Sequence, residues 1–189
     1  MARLSPRRGL LPGLLCAILL APLPATLGAA TPVPATEHQL KAVFVYNFTH
    51  FVEWPAESFA AADAPFVIAV LGSEDLAAQI EEAVRGEQVD GHPLQVRRHG
   101  SAAEIADCHI LFIDRGAAQK LDSVLPRLGR GTLTVSDMED ASRRGVMIQL
   151  ATRNNRIRML INVDSARKAG LTISSNLLRP AEIVRTAAN

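Results

Sequence analysis

Three short strand-like runs, the first of them continuously apolar, constrain the fold of this chain more than any other feature. Phe66-Val-Ile-Ala-Val-Leu71, His109-Ile-Leu-Phe-Ile113 and Thr132-Leu-Thr-Val135 are each too short for an ordinary helix, and each is followed by turn residues and a helical pattern. A strand that is apolar on both faces must be covered on both, and a helix crossing to the next parallel strand supplies such a cover. After the first run, Gly72-Ser73 turns and caps a helix whose Leu76, Ile80 and Val84 share one side and which Gly86 closes. Leu94 to Arg98 alternates weakly as a further strand. Short helices are expected over 102–107 and 137–144, and a longer one over 117–128. Near the end the rhythm changes: Val146 to Ala151 and Arg156 to Ile161 are two strand-like runs joined by Thr152-Arg-Asn-Asn155, a hairpin signal. This antiparallel pair is expected to edge the sheet, with helices over 164–168 and 175–185. The expectation is an α/β fold: a single domain over residues 38–189, a mostly parallel β-sheet flanked by helices, with an antiparallel C-terminal hairpin.

The first residues differ. Arg3, Arg7 and Arg8 precede an apolar segment, Leu10 to Leu23, and Gly28-Ala29-Ala30 offers the small residues of a cleavage site. Residues 1–30 read as a secretory signal peptide cut near Ala30, and 31–37, with Pro32 and Pro34, as an extended leader. Removing the segment leaves 17 basic against 19 acidic residues, a balance that argues against nucleic acid as a partner. Cys16 leaves with the segment and Cys108 stays alone, so no internal disulfide is available and stability rests on packing.

From His38 the period is helical. Leu40, Val43, Phe44, Asn47, Phe48 and Phe51 form one stripe, expected to dock this helix on the sheet, with Pro55 ending it. Phe44, Tyr46, Phe48, Phe51 and Trp54 are five of the chain's eight aromatic residues. Trp54 reads first as a core plug at the helix end and second as an interface anchor.

No catalytic constellation can be assembled. Nucleophile elbow, zinc-protease helix, phosphate loop and dinucleotide fingerprint are all missing, and His38, His50, His92, His99 and His109 have no metal-ligand spacing. No metal or cofactor is expected. Gly72-Ser73 and Ser136-Asp137 stand where strands give way to helices, the end of a parallel sheet that binds ligands. Helix capping is the first reading of Ser73 and Asp137, and a ligand pocket the second. Arg158, inside a strand between Ile157 and Met159, joins that candidate pocket if its side chain turns inward and otherwise pairs structurally. Cys108 reads as a small apolar side chain opening a buried strand rather than a reactive thiol.

Taken together, Lys41, Asn47-Phe48, Phe51 and Trp54-Pro55, then Cys108 to Ile113, Leu133-Thr-Val-Ser-Asp137, Gly145-Val-Met-Ile148, Asn162 and Ile173-Ser-Ser175 with Leu177-Leu178, resemble the YfiR-like family. The resemblance runs from about residue 38 to 186. It implies a soluble periplasmic repressor, a homodimer, that binds the periplasmic sensor domain of an inner-membrane, YfiN-like diguanylate cyclase and keeps it inactive. An outer-membrane, YfiB-like lipoprotein would sequester the repressor, and the output would be cyclic di-GMP and biofilm formation. A partner surface is expected on Leu171, Ile173, Leu177, Leu178 and Pro180, where apolar residues approach the expected sheet edge, with Trp54 as a further candidate. A second hypothesis keeps the periplasmic location but makes the protein a small-ligand sensor, with Gly72, Ser73, Ser136, Asp137 and Arg158 as its pocket and a histidine kinase or other membrane receptor as its partner. An enzyme is the third and weakest.

Overall fold

A computed structural model describes residues 35–154 and 156–185. The expected signal peptide, its cleavage point, Cys16 and most of the leader lie outside the described residues. Thr36 is not leader but the N-cap of the first helix, α1 (Glu37–Phe51), which therefore starts one residue earlier than its periodicity suggested. Its Oγ1 accepts from Gln39 N at 3.2 Å while Gln39 Oε1 accepts from Thr36 N at 2.8 Å, a reciprocal cap that satisfies two otherwise orphaned donors. The helix stops well before Pro55, because Val52 and Glu53 (β1) turn extended and pair with a later strand.

Then follow β2 (Phe66–Leu71), α2 (Glu74–Ala83), β3 (Gln88–Val89), β4 (His92–His99), β5 (Ile110–Ile113), α3 (Leu121–Val124) and β6 (Leu133–Ser136). The hairpin strands β7 (Ile148–Arg153) and β8 (Arg156–Asn162) lead into α4 (Val163–Lys168), β9 (Thr172–Ile173), α5 (Ser175–Leu178) and β10 (Glu182–Val184). The helices expected over 102–107, 117–128 and 137–144 shrink to 3-10 turns, with only the four residues of α3 properly α-helical.

One eight-stranded sheet runs in the order β10-β8-β7-β6-β5-β2-β4-β3, parallel except for the antiparallel pairs β7–β8 and β3–β4. β1 and β9 form a separate two-stranded clasp. The hairpin does not edge the sheet as expected, because β10 lies parallel along β8. Pro180 explains the departure from a helix over 175–185: proline donates no helical hydrogen bond and clashes with the preceding turn. Ile183 and Val184, β-branched, then favour the strand.

Two cores form. On one face, α1 and α2 cover Phe66, Ile68, Val70, Ile110 and Phe112 together with β6–β8 residues. On the other, Ala117, Leu121, Val124 and Met138 cover Val67, Ala69, Leu71, Leu111 and Ile113. The docking stripe of α1 is not the one that apolar periodicity indicated. Lys41, Ala42, Val45, Phe48 and Thr49 are buried, whereas Leu40 and Val43 are 41% and 51% exposed. The helix is rotated by about one residue, 100°, from that expectation, because a lysine belongs to the buried side.

Candidate functional site

The carboxy ends of the parallel strands place their turns beside the start of α1. Ser136, closing β6, donates from Oγ to Ile113 O at 2.6 Å and accepts from Met138 N at 3.1 Å. That turn carries the Asp137 carboxylate to Lys41, whose Nζ donates to Oδ2 at 2.6 Å. From the turn after β5, Arg115 approaches the same carboxylate twice, backbone N to Oδ1 at 2.7 Å and Nε to Oδ2 at 2.8 Å. Lys41 and Arg115 both also donate to Glu37 Oε1, which accepts from Thr152 Oγ1 at 3.0 Å. Two cations thus meet two carboxylates. The Lys41 side chain is 0% and that of Asp137 1% exposed, so each charge depends on the others. The hydrogen bond from Lys41 holds the Glu37 carboxyl down to about 2 against the opposing effect of burial, with Thr152 and Arg115 adding to it. The bond to Asp137 raises Arg115 above its ordinary value.

Of the residues expected to form a pocket, the structure unites two. Asp137 and Arg158 line one open cleft of about 620 Å³, together with Arg143, Arg153, Glu182 and Arg185. Asp137 is not a helix cap; its carboxylate is taken up by Lys41 and Arg115. Arg158 is exposed and needs no buried partner. Gly72 and Ser73 lie apart from this cleft. Ser73 accepts from Leu76 N at 3.1 Å as the cap of α2, and Gly72, at φ +112°, runs so close to the next turn that a Cβ would meet Asp114 Cβ at 3.2 Å. Ser136 is fully buried in its own turn.

The residues expected to meet a partner divide in the same way. Leu171 and Leu177 are buried in the core, Ile173 is held opposite Val52 in the β1–β9 clasp, and Leu178 is half-buried. Pro180 is exposed and lines a groove of about 320 Å³ with Phe44, Ile157, Met159 and Ala181. Trp54 is half-buried and follows its core reading: its indole N–H donates to His109 O at 3.1 Å and its ring stands edge-on to Phe66 at 4.8 Å.

Arg158, Arg179 and Glu182 line the same groove, and further apolar side chains are exposed on α1 and β10. The large hydrophobics Leu40, Val43 and Ile183 are each between 41% and 51% exposed. Ile183 pairs with the buried Ile161, which puts it on the sheet face that α1 covers. Both charged residues of α1, Glu37 and Lys41, are engaged in the ionic cluster, so its outer surface, Gln39, Leu40, Val43 and Asn47, carries no acid, lysine or arginine and meets a basic residue only at the exposed His50 of the last turn. By contrast α2 presents Glu74, Asp75, Glu81 and Glu82 to solvent.

Beneath Trp54, His109 is sandwiched between Phe59 and Phe66 at 4.4 and 4.6 Å. Its Nδ1 accepts from Val67 N at 3.0 Å, so Nε2 carries the proton and donates to Ser58 O at 3.1 Å. Burial pushes this imidazole below its ordinary value, against the bond to Ser58. Burial likewise pushes the neighbouring Cys108 thiol up to about 12, which leaves it inert at neutral pH. Among the described residues no group of three His, Cys, Asp or Glu could hold a metal ion.

Sequence reasoning missed Lys41, Glu37, Arg115 and Thr152. One signal was available: Glu37 and Lys41 are spaced i, i+4, and Lys41 interrupts an otherwise apolar helix. A family model described as YfiR/HmsC-like matches residues 38–182. No curated protein matches the chain.

Proposed function

Because the chain belongs to the YfiR/HmsC-like family, a non-catalytic family of regulators in diguanylate cyclase signalling, we propose that it is a periplasmic repressor. It binds the periplasmic sensor domain of an inner-membrane, YfiN-like diguanylate cyclase, keeps that enzyme inactive and so lowers cyclic di-GMP and biofilm formation. An outer-membrane, YfiB-like lipoprotein sequesters it, and it works as a homodimer. The observation that supports action by contact is the set of apolar side chains left open on α1 and the C-terminal segment, Leu40, Val43, Phe44, Pro180 and Ile183, with Arg158, Arg179 and Glu182 beside Phe44 and Pro180. A water-facing helix normally carries charge there, and an apolar patch with a polar surround marks a protein-binding surface.

The experiment is co-purification of the Val43→Asp variant with the periplasmic domain of the cyclase, beside a measurement of cellular cyclic di-GMP. Val43 is half-exposed, so the fold tolerates the change. Loss of binding and a rise in cyclic di-GMP are expected. A folded Val43→Asp protein that still binds and still represses would overturn the assignment of this surface, and wild-type protein that never binds would overturn the repressor reading itself.

A further inference from the structure

The hairpin displays arginines where its own register makes them costly. Strands β7 and β8 pair so that Arg153 stands directly opposite Arg156, and Ala151 opposite Arg158. Side chains alternate, so Leu150, Met159 and Ile161 enter the core under α1, while Arg153, Arg156 and Arg158 share the other face. Like charges directly opposite in a sheet repel. The second core contains no residue of β7, β8 or β10; on this face the 3-10 turn at Ala141–Arg144 meets only Gln149 and Asn162 through Ser142, and Arg153, Arg156 and Arg158 stay exposed. The result is the cleft of about 620 Å³ already described, within the size range that holds small ligands.

The charges around it do not cancel locally. Asp137 is satisfied by Lys41 and Arg115, and Asp140 faces Arg143 at 3.4 Å. Arg153, Arg158 and Arg185 make no ion pair with any described residue, and the remaining acids, Glu139 and Glu182, are exposed on the lining. Charge on the part of β8 before Leu160, which β10 does not reach, protects a sheet margin, but that does not account for Arg143, Arg153 and Arg185, which come from three other segments and converge on the same cleft. Guanidinium groups are planar forks that match carboxylate and phosphate oxygens two at a time.

We infer that this cleft is a binding site for a small molecule bearing a compact oxyanion, a phosphoryl or carboxylate group, held by Arg153 and Arg158 with Arg143 and Arg185 at its sides. The site does not rest on the cyclase reading: Leu40, Val43 and Phe44 of α1 are not in its lining, although Ile183 borders it and Arg158 and Glu182 line both the cleft and the neighbouring groove.

Thermal unfolding of the full chain at constant ionic strength, with inorganic phosphate in one arm, succinate in another and chloride as the reference, tests this. A saturable rise in Tm is expected, about 8 °C at a hundredfold excess over Kd. The Arg153→Gln/Arg158→Gln double variant abolishes it, whereas Arg97→Gln, on the exposed far strand β4, leaves it intact. Phosphate acting alone identifies a phosphoryl ligand, and succinate acting alone a carboxylate. No saturable shift in either arm overturns the proposal, as does an equal shift in the double variant.

Discussion

Replacing Asp137 by Asn tests the ionic cluster under α1 most directly. The carboxylate accepts three hydrogen bonds, from Lys41 Nζ at 2.6 Å, Arg115 Nε at 2.8 Å and Arg115 N at 2.7 Å. An asparagine oxygen can keep the backbone bond at Oδ1, but its NH₂ then faces both cations, donor against donor. Lys41, with 0% of its side chain exposed, is left with Glu37 alone. Removing one partner from a buried ion pair costs about 3–5 kcal/mol. The surviving bond to Glu37 places this case near the lower end. At roughly 2–4 °C per kcal/mol for a domain of this size, Tm falls by about 10 °C. Urea unfolding followed by circular dichroism measures the difference, and an unchanged slope shows that the same surface is being exposed. Glu37→Gln, at the solvent-facing end of the cluster, should cost only about 1 kcal/mol. A loss below about 1 kcal/mol for Asp137→Asn, or a larger loss for Glu37→Gln, would refute the claim that Lys41 depends on Asp137.

The depressed Glu37 carboxyl sets a pH dependence. Its folded value of about 2 lies below the ordinary 4.5, so its contribution is complete above pH 4.5 and is lost as pH falls toward 2. The stability gap between wild type and Glu37→Gln should shrink over that window, and a constant gap between pH 6 and 2.5 contradicts the assignment. Gly131 adopts φ +80°, and an added Cβ would sit 2.1 Å from Ser58 Oγ, so Gly131→Ala is expected to cost more than about 1 kcal/mol. Gly129→Ala, with nothing within 4 Å of its Cβ, should fall within about 0.5 kcal/mol of wild type in the same melts. Cys108, with its thiol pushed up to about 12, should resist iodoacetamide at pH 8 in the folded protein and react once urea unfolds it. Mass spectrometry distinguishes the two, and rapid labelling of native protein would show that the thiol is accessible.

The central strands were legible because burial on both faces leaves an unbroken run of apolar residues in β2 and β5, and in β6 a short β-branched segment whose Thr134 and Ser136 are buried polar residues. The hairpin was legible from its turn residues. The helix α1 was recognised as a helix and Phe48 as part of its inner side, but the expected stripe was turned by about one residue, which put Leu40 and Val43 inside and left Lys41 out. Lys41 looks solvent-facing to any hydrophobicity pattern, and only the distant Asp137 and Arg115 make its burial tolerable. The strands β1, β3, β9 and β10 have two or three residues each, too few to set a period, and except for β3, which pairs locally with β4, their pairing partners lie far away in sequence. At the site, Asp137 and Arg158 were singled out from their positions in the chain. Their union in one cleft depends on the β7–β8 register and on β10, and neither is a local property.

The anchoring of Trp54 has an optical consequence. It is the chain's only tryptophan, fixed by its indole N–H to His109, the residue before β5, and by its ring edge to Phe66 of β2, just beyond the end of α1. Intrinsic fluorescence therefore watches one place, the joint between the first helix and the central strands, while far-ultraviolet dichroism averages over the backbone. If the two signals coincide during unfolding, α1 leaves the sheet only when the whole domain melts. If the emission shifts first, the helix that carries Leu40 and Val43 detaches on its own, and the chain's single fluorophore records it without a label.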